Sequence, residues 1–313
     1  MRKISQKVAL KTDTKTLIAI VGPTAVGKTA VALQLAENLN TVILSADSRQ
    51  FYKELSIGTA KPSTFELARV KHYFINSHQI KDNLSAGEYE REAIALLNKL
   101  FLIYNQVVLV GGSGLFVDAV RRGLDDLPTP KPGVRDKWNQ LFLDEGITPL
   151  QNELLKTDPH YYAEVDTQNP QRLIRALEVW ESTGQTFSSF RKNKLSAMAF
   201  NTIIICLEMQ RSQLYDRINE RVDQMMEAGL LEEVRELMQY QHLPALKTVG
   251  YAELFAYLDG HIPLAGAIEK IKQNSRKYAK RQLTWFRKDT TTRWFHPNDL
   301  DRITAYINTT IRS

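Results

Sequence analysis

Along the first 125 residues the hydrophobic pattern alternates between two kinds of segment. Short apolar runs rich in β-branched residues occur at Thr16–Gly22 (TLIAIVG), Thr41–Asp47 (TVILSAD), His72–Asn76 (HYFIN) and Gln106–Gly112 (QVVLVGG). They are continuous rather than alternating, as expected of strands buried on both faces. Residues 28–39 (KTAVALQLAENL), between the first two runs, place apolar side chains at helical spacing, and Gly87–Tyr104 does so between the last two. Strand, helix and strand in that order predict crossover connections and a parallel sheet covered by helices.

The pattern changes after Gly123. Residues 124–133 (LDDLPTPKPG) contain three prolines and read as a linker, and from there to about residue 192 the pattern is helical with no convincing strand. Asn201–Met209 (NTIIICLEM) returns to strand character, Ser212–Tyr240 predicts one long amphipathic helix or a pair, and Thr292–His296 fits a late edge strand. The expected fold class is α/β, a parallel sheet flanked by helices with an all-helical insertion. Residues 1–124 start the core, 125–200 form the insertion, and 201–313 complete the core and add a basic helical region. No repeat appears at solenoid periods.

Composition narrows the function classes. The 313 residues are 43% apolar and 24% charged, with 15 Gly and 11 Pro, which excludes collagen-like or low-complexity character. No apolar run approaches the roughly 20 residues of a membrane span, and MRKISQKVALKTDTK lacks the apolar stretch of a signal peptide. The expectation is a cytoplasmic protein with no membrane partner. A single cysteine, Cys206, excludes an internal disulfide framework and a Cys-based zinc cage; inside TIIICL it reads as a buried thiol. His72 precedes a strand and is expected to pack, whereas His78, His160 and His242 have no metal spacing. Glu232, Glu233 and Glu236 read as a solvated helix face, and Met225 and Met226 as core. Net charge is +6, and residues 270–288 hold eight basic and no acidic side chains among Tyr278, Trp285 and Phe286. That stretch suits either a solvated helix face or a polyanion surface offering flat rings for bases.

Candidate chemistry starts at residues 22–29, GPTAVGKT, which fit G-x-x-x-x-G-K-[ST] between a strand and a helix. Gly22 and Gly27 let the backbone of Pro23, Thr24, Ala25 and Val26 wrap phosphate oxygens at a helix N-terminus. Lys28 supplies a point charge, and the Thr29 hydroxyl can hold Mg²⁺. The sheet is therefore expected to be P-loop NTPase-like. ATP does not follow, because any diphosphate–magnesium unit fits. The fourth strand ends in VLVGGSG without a Walker-B acid, and the acid comes instead after the second, as Asp47 in SADSRQFY. Strand carboxyl ends line the ligand crevice of parallel sheets, which places Asp47 beside the loop as a metal, capping or catalytic carboxylate.

Beyond GPTAVGKT, the segments SADSRQFYKELSIGTAKPS (45–63), SAGEYERE (85–92), VLVGGSGLF (108–116), NPQRLIRALEV (169–179), KTVGYAEL (247–254) and KRQLTWFRK (280–288) follow in a characteristic order. In that order and spacing the chain resembles bacterial tRNA dimethylallyltransferases, also called tRNA isopentenyltransferases, over essentially its whole length. The resemblance implies transfer of a dimethylallyl group from dimethylallyl diphosphate to N6 of the adenosine 3′ of the anticodon (position 37), with Mg²⁺ as cofactor. It implies a tRNA anticodon stem-loop as partner, a monomer, and an insertion that clamps tRNA. By the same resemblance Asp47 is the general base, Thr24 and Arg221 bind the donor, and Arg217, four residues before Arg221 on one helix face, is its companion. Ser48, Arg49 and Gln50 match the stretch that reads the target base, and Ser113 stands where the family usually has Thr. Phe116 replaces a usual Tyr. Arg135, Gln171, Arg172, Arg175, Lys247, Lys280, Arg281, Gln282 and Trp285 are the remaining implied tRNA contacts. Two other readings remain open: an adenylate dimethylallyltransferase, which needs no anticodon clamp, and a P-loop kinase or RNA-stimulated ATPase, which has to explain away SADSRQFY.

Overall fold

The computed structural model describes residues 15–191 and 198–312. The N-terminal segment assessed for a signal peptide falls almost wholly on residues 1–14, outside the described residues. The chain divides into two compact units, Met1–Arg122 with Ala197–Ser313, and Gly123–Ser196.

In the first unit six parallel strands, β1 (Thr16–Val21), β2 (Ile43–Ser45), β3 (His72–Tyr73), β4 (Gln106–Gly111), β5 (Asn201–Leu207) and β6 (Arg293–Phe295), form one sheet in the order β3-β2-β4-β1-β5-β6. Every residue of β1 is buried because the strand is central and both faces are covered. Its side chains divide by the two-residue period: Leu17, Ala19 and Val21 join one core layer, Ile18 and Ile20 the other. The buried Cys206 on β5 belongs to the first layer, and burial pushes its thiol well above the usual range.

Several expected strands are shorter than their apolar runs. β3 stops at Tyr73 because Phe74 and Asn76 adopt positive φ values of 60° and 53°, which end ladder pairing. Ser212–Tyr240 resolves into helices Arg211–Glu227 and Leu230–Glu236, broken at Gly229 with φ 97°. The latter packs with helices Tyr251–Leu258 and Leu264–Phe286 around a third core cluster containing Leu230, Val234, Leu254 and Ile271.

The regular structure of the second unit is all helical among its described residues, with helices Val134–Glu145, Thr148–Thr157, Pro159–Glu164, Pro170–Thr183 and Phe187–Phe190. They enclose a core of Trp138, Leu150, Leu154, Leu173, Ile174 and Leu177.

Candidate active site

The loops after β1, β2 and β4 meet at the carboxyl edge of the sheet, where parallel topology leaves a crevice. Gly22 opens the first loop at φ 141°, and a Cβ there would lie 2.7 Å from the carbonyl oxygen of Leu207, so no larger residue fits. Gly27 ends the loop as N-cap of the Lys28–Asn38 helix, leaving unpaired N–H groups to face an anion. The Lys28 ammonium donates to the Pro23 carbonyl at 2.7 Å, and Arg221 donates to the Thr24 hydroxyl at 3.2 Å. Two cations are thus tied to the loop, Arg221 on the wall of one cavity and Lys28 on the wall of a smaller one. Burial, followed by the Arg221 charge, brings Lys28 down to about 8, with Asp47 and the Cys206 sulfur pulling the other way. Burial and then the neighbouring Arg217 also lower Arg221, against the pull of Asp47.

This has a pH consequence. An anion on the loop favours protonated Lys28, so binding takes up protons as the free protein loses its own above pH 8. Inorganic pyrophosphate affinity, corrected for the ligand's own ionisations, is expected to be flat below pH 8 and to fall above it towards about one decade per pH unit. Calorimetry in buffers of different ionisation enthalpy at pH 8.5 should register that uptake. Affinity independent of pH from 7 to 10 would take Lys28 out of anion binding.

The larger cavity, about 230 Å³, has Thr24, Asp47, Ser48, Arg49 and Arg221 in its polar lining. Ile218, Val222, Met225, Val249 and Ile271 supply its apolar lining. Asp47 accepts the Arg49 N–H at 3.0 Å, an Asx turn that fixes the carboxylate at the mouth of β2. Ser113 ties the β4 loop to the β2 loop, accepting from the Ser48 N–H at 3.1 Å and meeting the Ser48 hydroxyl at 3.2 Å. The Arg49 Nε is buried with no protein partner among the described residues. A donor of that kind inside a cavity is suited to a ligand acceptor.

A smaller adjoining cavity of about 30 Å³ is lined by Lys28, Thr29, Asp47 and Gln50. The Thr29 hydroxyl and the Asp47 carboxylate supply hard oxygen donors, which fits Mg²⁺ completed by substrate phosphates and water. Among the described residues no cluster of three or more His, Cys, Asp or Glu could hold a metal by itself.

Gln50 donates to the Thr59 and Ala60 carbonyls at 3.1 and 3.2 Å and its own carbonyl accepts the Ser45 hydroxyl at 3.4 Å, which leaves that oxygen a second lone pair for a base. Phe116 stacks among Phe51 and Tyr89, with ring centroids 5.6 and 5.3 Å away, and an apolar cluster has no use for a tyrosine hydroxyl there. Lys247, Lys280 and Arg281 are exposed on the first unit, and Arg217 is exposed with its guanidinium near Gly27. Trp285 is 37% exposed and donates its indole N–H to Asp118 at 2.8 Å. Gln282 differs from the expectation of a tRNA contact. It is buried, with both ends of its amide engaged by protein, because it lies on the inner face of its helix. In the second unit Gln171 and Arg172 are exposed at a helix N-terminus. Arg175 and Arg135 converge on the buried Glu178, at 3.1 and 3.8 Å.

Glu233 is a correction. Read as a solvated helix-face carboxylate, it instead accepts the N–H groups of Ser56, Ile57 and Gly58 at 3.1, 2.7 and 3.1 Å and the Tyr251 hydroxyl at 2.6 Å. It thereby fixes the loop whose Gly58 and Thr59 line the cavity. Helical periodicity could not reveal this, since the three N–H partners are 175 to 177 residues away and the Tyr251 hydroxyl 18. Glu233→Gln, which trades an acceptor oxygen for a donor, is expected to cost about 2 kcal/mol of stability. Denaturant unfolding reads that loss, and a change below a few tenths would mean the four hydrogen bonds hold nothing. Met225 and Met226 pack, half-buried, against the third core cluster, and Met225 lines the cavity as well. Tyr278, noted only as a flat ring, lines the cavity too; burial, then the Asp47 charge, raises its hydroxyl.

A family model described as IPP transferase matches residues 50–289. The chain belongs to the IPP transferase family. It is 51% identical over 292 residues to tRNA dimethylallyltransferase 1 of Bacteroides thetaiotaomicron, covering 93% of this chain and 95% of that protein. A tRNA dimethylallyltransferase of Cytophaga hutchinsonii is 47% identical, with 94% and 96% covered. Among solved structures, a tRNA isopentenylpyrophosphate transferase of Bacillus halodurans superposes with a TM-score of 0.70 at 35% identity, covering 95% of this chain and 97% of that one. A eukaryotic dimethylallyltransferase acting on tRNA superposes with a TM-score of 0.73 at 25% identity, covering 87% and 70%. These likenesses span both units, and the fold they share is the P-loop-like α/β sheet flanked by helices that the sequence predicted.

Proposed function

We propose that this member of the IPP transferase family transfers a dimethylallyl group from dimethylallyl diphosphate to N6 of the tRNA adenosine 3′ of the anticodon. The observation that carries the reading is the two-sided cavity. Arg221 and Thr24 on its polar lining, with Lys28 in the smaller cavity alongside, suit a diphosphate, while Ile218, Val222, Met225, Val249 and Ile271 suit a five-carbon allyl chain. Asp47 lines both cavities.

In this reaction the bond between the allylic carbon and the diphosphate oxygen breaks as the bond from N6 to that carbon forms. The electron pair leaves with the diphosphate, where Lys28, Arg221 and the helix N-terminus stabilise the growing negative charge. The N6 proton passes to Asp47, and diphosphate is released. Thr29 and Asp47 would hold Mg²⁺, which when bound supplies further charge neutralisation at the leaving group. The amide of Gln50, with Ser48 and Arg49, orients an adenine turned out of the anticodon loop. Lys247, Lys280, Arg281 and Trp285, with Gln171, Arg172, Arg175 and Arg135 of the second unit, bind the RNA backbone and unstacked bases as arginines and rings generally do. A single chain carries every residue this reading uses, and we infer a monomer working in the cytoplasm; no described helix is long and apolar enough to cross a membrane.

The direct test is mass spectrometry of nucleosides from unmodified tRNA incubated with the protein, dimethylallyl diphosphate and Mg²⁺, with a parallel reaction on AMP. N6-dimethylallyl adenosine from tRNA alone is expected. Product from AMP alone would make the protein an adenylate prenyltransferase, and phosphate release from ATP with no prenyl product would make it an ATPase.

A further inference from the structure

The basic helix Leu264–Phe286 faces two ways at its C-terminal end. Lys280 and Arg281 are exposed, while Gln282 beside them is 6% exposed. Its Oε1 accepts the backbone N–H of Thr24 at 2.8 Å, and its Nε2 donates to the Gly112 carbonyl at 2.9 Å. One amide therefore joins the phosphate loop after β1 to the turn after β4. Both attachments lead to groups of the reaction site: the Thr24 hydroxyl accepts from Arg221, and Ser113, next to Gly112, binds Ser48 beside Asp47. The junction has no slack, since a Cβ on Gly112 would lie 2.2 Å from Nε2.

We propose that Gln282 is a positioning residue for the prenyl donor. It holds the Thr24 peptide of the phosphate loop in the orientation that presents the Thr24 hydroxyl to Arg221. The helix that carries the tRNA-facing cations thereby also shapes the diphosphate cradle. The inference rests on the loop being the allyl diphosphate site. An apolar side chain at 282 would leave the Thr24 N–H without its acceptor, and the peptide would turn to find another. The donor then loses affinity, while the exposed cations that meet RNA stay in place.

Steady-state kinetics of the full chain, varying dimethylallyl diphosphate and tRNA in turn, separate the roles. Gln282→Met and Gly112→Ala are each expected to raise the KM for the donor about ten-fold, with the KM for tRNA within about two-fold of the parent. Gly112→Ala reaches the same end because its Cβ displaces the flexible tip of Gln282, so it carries the test if Gln282→Met fails to fold by circular dichroism. Arg281→Ala should raise the tRNA KM alone. A tRNA KM that rises in Gln282→Met with donor KM unchanged means the amide meets RNA and overturns the inference, as does no change in either constant. Should the parent bind inorganic pyrophosphate yet transfer no prenyl group, the functional reading falls. About ten-fold weaker pyrophosphate binding in the two variants would still support the Gln282 link to the loop, and equal binding would end it.

Discussion

Asp47→Asn should lower prenyl transfer at saturating substrates by about 10²–10⁴-fold, the range for loss of a general base, while tRNA binding stays near that of the parent. The substitution keeps the local backbone. The carboxylate's backbone contact within the protein is the Arg49 N–H on Oδ1, and an asparagine carbonyl can keep that Asx turn. What disappears is the negative charge, with it the anionic ligand for Mg²⁺, and the capacity to take the N6 proton. There is a secondary effect with a definite sign. The Asp47 charge raises both Lys28 and Arg221, so its removal pushes Lys28 below about 8 and brings the alkaline loss of donor binding to lower pH. Single-turnover rates and tRNA anisotropy measured together check both parts. A near-normal single-turnover rate would remove Asp47 from the proton transfer and leave it a magnesium or capping role.

How much of this was legible in the residues depends on the range of the interaction. The sheet could be read because burial on both faces writes itself into continuous runs such as TLIAIV, and the phosphate loop because strand, glycines, lysine and helix are adjacent in sequence. The break at Gly229 was within reach as a glycine in a long amphipathic pattern, yet one helix and a pair have the same period. Glu233 and Gln282 were not legible. Both lie on amphipathic helices where a polar residue at an intermediate position is ordinarily solvated, and each finds its partners in loops distant in the chain. Family resemblance did not repair this for Gln282, because a motif marks a residue as significant without saying which way its side chain faces. The apolar cavity wall was hidden for a related reason. Ile218, Val222, Met225 and Ile271 have the spacing of core residues, and whether such a face meets another helix or a ligand is decided by tertiary structure.

Arg221→Gln is the second large effect, and its signature separates it from a packing defect. Arg221 bonds the Thr24 hydroxyl and its charge lowers Lys28 while Asp47 raises both, so in the absence of an anion two cations share one carboxylate. Such a site holds repulsion that a diphosphate relieves, and it relieves more as charge builds on the departing oxygens. Removing the guanidinium is therefore expected to lower kcat over KM for the donor by about 10³-fold, of the size seen when one preorganised charge stabiliser is lost. The same change should do the opposite to Lys28. Arg221 is the second cause of its depressed value, after burial, so the variant's Lys28 stays protonated to higher pH. Donor or pyrophosphate binding in Arg221→Gln should accordingly be weaker at pH 7 but hold its affinity to a higher pH than the parent. The alkaline limb moves up in Arg221→Gln and down in Asp47→Asn. A packing defect could weaken both variants, but it has no reason to move the limb in opposite directions. If the two limbs coincide with that of the parent, Lys28, Arg221 and Asp47 do not form one electrostatic unit, and the leaving-group role assigned to Arg221 loses its basis.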